Sequence, residues 1–164
     1  VLIVGISLAA YLAGKFLGTD GSVVRWHALG RDWNVLLVNV SRLLLEPRAE
    51  AQFHRLRPER PGALLASGDF VDGELIAGEP GRVTISSVLF GIRSYSAEGA
   101  VLAVHLRDAA EAGTEFEISS TDGSRLLANQ IDLRDEGLAG GERSAGEFLL
   151  RTQDLLELRR STRL

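Results

Sequence analysis

Short stretches of alternating apolar and polar residues run along most of the chain, and turn-forming residues separate them. Phe116-Glu117-Ile118-Ser119 alternates cleanly, which is typical of a β-strand with one buried face. Asp20-Gly21 and Glu79-Pro80-Gly81 favour tight turns, because glycine adopts the positive φ angles that many such turns require. The pattern therefore predicts an all-β protein built from many short strands.

The stretch from Ala63 to Arg107 shows the clearest unit of this pattern. It contains apolar strands at residues 63–66, 70–76, 83–86 and 101–106. A turn at Ser67-Gly68-Asp69 follows the first strand, and a corner at Phe90-Gly91 follows the third. Glycine is expected at such a corner because the chain must bend sharply or adopt positive φ there.

The first and last thirds of the chain fit the same unit. The corner glycine recurs as Gly30 and Gly146, and the glycine of the first turn recurs as Gly123. A unit of this size buries too little apolar surface to be robust alone, so we expect the units to pack on one another. The sequence predicts three units, which comprise residues 1–47, 63–107 and 114–161.

Two linkers are predicted between the units. Residues 48–62 are rich in arginine and proline. Within them, residues 48–56 favour a short helix, whereas residues 57–62 are expected to be extended because Pro58 and Pro61 disfavour helix before them. The second linker, residues 108–113, is rich in alanine and is expected to form about one helical turn.

A polar or glycine-containing step precedes the last strand of each unit, at Asn39, Gly99 and Asp154. Five short strands with a single helical turn before the last one are typical of small SH3-like or Sm-like barrels. The predicted fold class is therefore all-β, with three tandem small barrel units packed on one another and joined by short helical linkers.

Two motifs of the second unit carry a family resemblance, Ser-Gly-Asp-Phe-Val-Asp-Gly at residues 67–73 and Leu89-Phe90-Gly91. They resemble the tandem small-barrel repeats of large extracytoplasmic bacterial proteins. There, a motif like Asn-Gly-Asp-x-x-x-Gly opens the unit and a Leu-Phe-Gly corner lies in its middle. The third unit departs from this pattern at Ala128-Asn129. The resemblance implies a periplasmic or cell-surface module beside other domains of its parent chain, and it carries over no catalytic residue.

Composition narrows the classes of function. The net charge of −4 disfavours a general nucleic-acid binder, although every cation except Lys15 is an arginine. The absence of cysteine excludes disulfides, thiolate zinc sites and a cysteine nucleophile. The apolar run at residues 1–14 is too short to span a bilayer and is interpreted as a buried strand. Because methionine is absent, we expect the chain to be a fragment or a processed form of a longer protein.

The sequence predicts neither a catalytic site nor a metal site. His27, His54 and His105 have no partner at a recognisable metal-ligand spacing, and His105 is expected to point outward from its strand. The nucleophile elbow Gly-x-Ser-x-Gly is absent. The acidic residues within 69–74 are interpreted as a solvated strand face. We therefore predict a protein without catalytic residues or a cofactor.

Three aromatic residues are the candidate ligand-binding residues, namely Trp33, Tyr95 and Trp26. Trp33 and Tyr95 follow equivalent corners of their units. Exposed aromatic rings on a β surface stack on sugars or on bases. Burial in the core is the alternative interpretation of the same residues.

These observations favour a non-catalytic binding or spacer module within a larger extracytoplasmic bacterial protein, with a polysaccharide or a protein as its ligand. Two alternatives stay open. One is a small-barrel nucleic-acid-binding protein, in which the linker arginines and Trp26 contact the nucleic acid. The other is an accessory segment of an enzyme whose catalytic domain lies outside this chain.

Overall fold

The computed structural model describes residues 2–5, 10–46, 49–56, 59–109, 114–142 and 146–161. Nearly all regular structure in them is antiparallel β-sheet, which confirms the predicted all-β class. We divide the strands into three segments in chain order.

The first segment contains β1 (Leu2–Gly5), β2 (Tyr11–Thr19), β3 (Val23–Ala28), β4 (Arg31–Leu36) and β5 (Arg42–Leu44). The second contains β6 (Gly62–Leu65), β7 (Phe70–Asp72), β8 (Glu74–Glu79), β9 (Arg82–Ser87), β10 (Gly91–Ser96) and β11 (Val101–His105). The third contains β12 (Phe116–Ser120), β13 (Arg125–Ala128), β14 (Ile131–Arg134), β15 (Gly137–Glu142), β16 (Gly146–Arg151) and β17 (Leu155–Arg160). The helix α1 (Ala49–Leu56) lies between the first two segments, where the sequence predicts a short helix.

The three segments share one order of strand pairing. The first strand of each pairs antiparallel with the next strand and with the last one: β1 with β2 and β5, β6 with β7 and β11, and β12 with β13 and β17. The middle strands form the meanders β2-β3-β4, β8-β9-β10 and β14-β15-β16. The described strands form no closed barrel.

A short turn precedes the last strand of each segment. It is a 3-10 helix at Leu37–Asn39 in the first segment and at Thr152–Asp154 in the third. In the second segment, residues 97–100 form turns instead. These are the three places where the sequence predicts a single helical turn.

The segments are joined through their strands. The last strands of the first two segments pair antiparallel, so that Leu44 lies opposite Ala103 and Arg42 lies opposite His105. We call this pairing the β5–β11 seam. Strand β2 also makes single pairing contacts with β8 and with β13. The meander β14-β15-β16 is a separate three-stranded sheet, whereas all the other strands belong to one connected network.

Buried apolar residues of all three segments form one main cluster. It includes Trp26 and Trp33 from the first segment, Ile85 from the second, and Ile118 and Phe148 from the third. Sharing a core removes more apolar surface from water than three isolated units would, and this is the dominant favourable contribution to folding.

A smaller cluster covers the other face of β11. It contains Leu102 and Ala103 of β11, Ala49 of α1, and Leu44 and Leu64 of the flanking strands. All residues of β11 are therefore buried, including His105, which is 7% exposed. The prediction that His105 points outward to solvent is wrong. Alternation along a strand shows on which face a side chain lies, but both faces of β11 are covered.

The apolar run at the start of the chain forms two strands. β1 and β2 are antiparallel, and Gly5 lies opposite Tyr11. Within the described ranges, no helix is long and apolar enough to cross a membrane. The predicted helical turn at residues 108–113 lies mostly outside the described residues.

Candidate functional site

Trp26 and Trp33 lie in the core, directly opposite each other on β3 and β4. Their exposed fractions are 0% and 2%. The Trp33 indole donates a hydrogen bond from Nε1 to the carbonyl oxygen of Ala28 at 2.8 Å. The guanidinium carbon of Arg31 lies 3.8 Å from the centre of the Trp33 ring system, within cation–π distance. Both indoles are therefore core residues, the alternative that the sequence left open.

Tyr95 differs from Trp33 in its surroundings. It lies on β10, which among the described strands pairs only with β9 and whose other residues are exposed. The Tyr95 side chain is partly buried and packs against the main cluster. A stacking role for Tyr95 stays a prediction.

His27, His105 and Asp72 have local partners, whereas the side chain of His54 lies outside the described part of the chain. His27 Nδ1 lies 2.6 Å from Asp32 Oδ1 on the surface of the β3–β4 hairpin. Burial lowers the pKa of His105 below its ordinary value, Asp108 opposes this shift, and Arg42 adds to it. Asp72 is exposed and lies 3.7 Å from Arg60. Among the described residues, no group of three or more potential ligands is placed to hold a metal ion.

The third segment departs from the other two after its second strand. In the first two segments, a glycine stands where strands approach most closely. A Cβ added to Gly14 would lie 2.0 Å from the carbonyl oxygen of His27, and one added to Gly73 would lie 2.6 Å from that of Ser86. These distances are too short for any side chain, so both positions require glycine.

Ala128 occupies the corresponding position of the third segment, and the chain takes a different path there. β13 ends at Ala128, and the exposed Asn129 and Gln130 lead to β14, which belongs to the separate sheet. By contrast, β2 runs without a break through Gly14, and only Gly73 separates β7 from β8. The separation of the β14-β15-β16 sheet therefore coincides with the loss of the glycine.

A groove of about 1050 Å³ lies at this place. The first segment contributes Arg31, and the third segment contributes the rest of the lining. The lining residues from the third segment are Glu115, Phe116, Asn129, Gln130, Ile131, Asp132, Arg134, Ala139, Gly140, Gly141, Glu147, Phe148 and Leu149.

The floor of the groove is the middle of the separate sheet. Gly140 lies opposite Phe148 on the neighbouring strand β16. A Cβ added to Gly140 would lie 2.6 Å from Cζ of Phe148, so the phenyl ring packs directly against the backbone of β15. Phe148 is 3% exposed and belongs to the main cluster, which anchors the floor of the groove to the core.

Three charged side chains of the groove, those of Arg31, Asp132 and Arg134, have polar partners. Arg134 Nε donates to Asp132 Oδ2 at 3.0 Å. Arg31 donates from Nη2 to the carbonyl oxygen of Glu147 at 2.9 Å. Two arginines and three carboxylates line the groove, so its charges largely offset one another. Such a surface offers both donors and acceptors without a strong field of one sign.

Contacts between the first and third segments position Arg31 over the groove. Ser124 is 1% exposed and accepts a hydrogen bond through Oγ from the backbone N–H of Ala13 at 2.9 Å. The backbone N–H of Leu29 donates to Asp122 Oδ2 at 3.3 Å. We call this set of contacts the Ser124 seam. It fixes the β3–β4 corner against the third segment.

No pattern in the sequence indicated the residues that form this groove. Arg31, Asn129 and Gln130 match no known motif, and their proximity depends on how the first and third segments pack together. The departure at Ala128-Asn129 was the available signal. It marks the place where the third segment leaves the path that the other two follow.

Comparison with known proteins gives no relative. No protein family, no curated protein and no solved structure matches this chain.

Proposed function

We propose that the chain is a non-catalytic binding and spacing module made of three copies of one small, open barrel-like unit, and that the groove beside Asn129 and Gln130 binds a segment of polysaccharide. The groove is the observation that carries the binding part of this proposal. It combines a large volume with polar groups from two segments.

Two kinds of observation support the repeated unit. The order of strand pairing is the same in the three segments. The corner glycines Gly30, Gly91 and Gly146 all have positive φ, at 72°, 70° and 91°. Matching pairing and matching backbone angles at aligned residues are expected of copies of one unit.

The polar groups of the groove favour a neutral, hydroxyl-rich ligand. A sugar hydroxyl both donates and accepts, and it therefore suits an open groove in which amides, carboxylates and guanidinium groups alternate. Arg31, Arg134 and Asp132 already have polar partners, so the groove needs no ionic ligand to balance it. Ligand sites commonly combine apolar surface with a few polar groups that fix orientation, and the partly exposed Ile131 and Leu149 supply apolar surface here.

Affinity electrophoresis in gels that contain soluble polysaccharides tests this function, with calorimetry for any polysaccharide that retards the protein. Replacing Gln130 or Asp132 with alanine should weaken binding about two- to tenfold, the effect of losing one hydrogen bond. Gln153→Ala is the matched control, since this exposed glutamine lies in the 3-10 helix outside the groove. Absence of binding, or binding that the groove variants leave unchanged, would refute the groove as a polysaccharide site.

The nucleic-acid alternative has weaker support. Trp26, its candidate stacking residue, is fully buried. Carboxylates outnumber arginines in the groove, and the chain carries a net charge of −4. Retention on immobilised RNA at low salt that weakens steeply as salt is added would favour this alternative instead. The extracytoplasmic bacterial setting implied by the family resemblance stays a prediction.

A further inference from the structure

The β9–β10 corner of the second segment is an exposed apolar patch. Its residues Val88, Leu89, Phe90 and Ile92 have exposed fractions of 102%, 80%, 53% and 70%. Single exposed apolar residues are common on protein surfaces, but four within five consecutive positions form a contiguous patch. We call these four residues the second corner. Burial of this patch would remove apolar area from water and would be favourable.

Two backbone groups of the second corner have partners within the hairpin. The N–H of Phe90 donates to Ser87 Oγ at 3.4 Å, and Arg93 Nε donates to the carbonyl oxygen of Phe90 at 3.2 Å. Gly91, with φ of 70°, provides the bend. The four side chains of the corner are apolar, so covering them would remove hydrocarbon surface from water.

The corresponding corner of the first segment contacts the third segment. Leu29 packs against the main cluster, and its N–H donates to Asp122 of the third segment. Arg31 donates to the carbonyl oxygen of Glu147, also in the third segment. Within this chain, the β3–β4 corner thus contacts two elements of the third segment. They are the turn between β12 and β13, and Glu147, the residue after the corner glycine Gly146.

The second segment carries both of those receiving elements in exposed form. Its turn at residues 66–69 is exposed. That turn has the same backbone hydrogen bonds as the turn at residues 121–124. In the turn at residues 66–69, Leu65 N donates to Asp69 O and Gly68 N donates to Leu65 O. In the turn at residues 121–124, Ser120 N donates to Ser124 O and Gly123 N donates to Ser120 O. The glycine φ angles are 92° and 91°. Ile92 follows Gly91 as Glu147 follows Gly146, and it belongs to the exposed patch.

We propose that the second segment is a self-association surface, on which the second corner of one copy docks against the turn at residues 66–69 and Ile92 of a second copy. Because each second segment carries both the corner and the receiving elements, two copies engage reciprocally through the same surface. Such an isologous contact closes a dimer and leaves no patch free for further addition.

Sedimentation equilibrium over a wide range of concentrations tests this proposal on the intact chain. The wild type should show a reversible monomer–dimer equilibrium. The double variant Leu89→Ser/Phe90→Ser should dimerise at least about tenfold more weakly, because its apolar side chains are lost from the interface. Leu156→Ser is the matched control, since Leu156 is 69% exposed on β17 of the third segment. This control should dimerise like the wild type.

A second variant tests whether the second corner docks on the turn at residues 66–69 or binds a different partner. Asp69→Arg changes only the receiving turn, and it should also weaken dimerisation. Circular dichroism and urea unfolding check that each variant is folded. A protein that stays monomeric at every concentration, or a dimer that the corner and turn variants leave unchanged, refutes the proposal. A monomer that floats with phospholipid vesicles and loses this binding in Leu89→Ser/Phe90→Ser would make the corner a lipid-binding site instead.

Discussion

The β3–β4 corner and the β9–β10 corner share a glycine of nearly the same φ but have different surroundings. Gly30 and Gly91 adopt nearly the same φ, and nothing lies within 4 Å of a Cβ added to either. Yet the first corner is held against the third segment through Asp122 and Glu147, whereas the second projects apolar side chains into solvent. A turn motif therefore determines how the chain bends, and the neighbouring segment determines whether the side chains of the corner are covered.

The backbone strain at each corner reflects the same difference. Leu29 has a φ of 53°, a left-handed conformation that costs a leucine about 1–2 kcal/mol. The packing of Leu29 on the main cluster and its bond to Asp122 offset this strain. The second corner is longer, and among the residues around it only Gly91 has positive φ. Backbone strain at a residue other than glycine therefore occurs at the β3–β4 corner, which contacts another segment of the chain.

The largest expected effect concerns the aromatic residues that follow the two corners. Trp33→Ala should lower the free energy of unfolding by about 3–5 kcal/mol, because it leaves a large cavity in the main cluster. Tyr95→Ala should cost about 1–2 kcal/mol, because Tyr95 is only partly buried. Urea unfolding followed by circular dichroism measures both. Equal losses would contradict the different burial of the two residues.

The next largest expected loss of stability comes from breaking the Ser124 seam, which holds the β3–β4 corner against the third segment. Ser124→Ala should cost about 1–3 kcal/mol in urea unfolding, because the buried N–H of Ala13 loses its hydrogen-bond acceptor. Ser94→Ala is the matched control: its hydroxyl bonds to Thr84 on an exposed strand, and its loss should stay within about 0.5 kcal/mol. A similar cost for the two variants would argue against the seam as the support of the first corner.

A smaller expected loss of stability tests whether the two corner glycines, Gly30 and Gly91, are equivalent. Gly30→Ala and Gly91→Ala should each lower the free energy of unfolding by about 1–2 kcal/mol, since the only penalty in either case is a side chain at positive φ. The two losses should agree within the error of urea unfolding. A clearly larger loss at Gly30 would indicate that the third segment also restricts space at that corner.

The smallest expected change in stability comes from His105 on the β5–β11 seam, and it depends on pH. Burial lowers the pKa of His105 below its ordinary value of 6.5. As pH falls below about 6.5, the unfolded chain therefore binds a proton that the folded chain takes up only at lower pH, and the free energy of unfolding decreases through this window. At higher pH His105 is neutral in both states and the loss is absent.

His105→Gln should reduce this loss of stability at low pH, because glutamine does not titrate. His27→Gln is the control: His27 is half exposed, lies on the β3–β4 hairpin, and should leave the decrease in place. Urea unfolding at several pH values between neutral and mildly acidic compares the three proteins. A wild-type stability that does not change across this window would contradict the assigned role of His105.

The sequence predicted local features more reliably than the relations between segments. The turn at Gly68 and the corner at Gly91 could be recognised because a turn depends on a few adjacent residues. The burial of His105 could not, since alternation along a strand does not show that α1 and its cluster cover the second face. The indole of Trp33 was equally ambiguous, because the same residue type suits a binding surface and a core.

The candidate groove was out of reach of sequence patterns for a related reason. Asn129 and Gln130 are adjacent, but Arg31 comes from a strand about a hundred residues earlier. Their meeting depends on the Ser124 seam and on the path that the chain takes after Ala128. The departure from glycine at Ala128 indicated where the third segment differs, without indicating that a groove forms there.

The bond between Ser124 and Ala13 also has a consequence for the order of folding. It spans 111 residues of sequence. During synthesis the first segment leaves the ribosome before Ser124 is made. Until then, the N–H of Ala13 on β2 lacks its native acceptor and is bound to water. Contacts of such wide sequence separation form late and slow folding. The first segment is therefore synthesised before the third but makes all its native contacts only when the third segment is present.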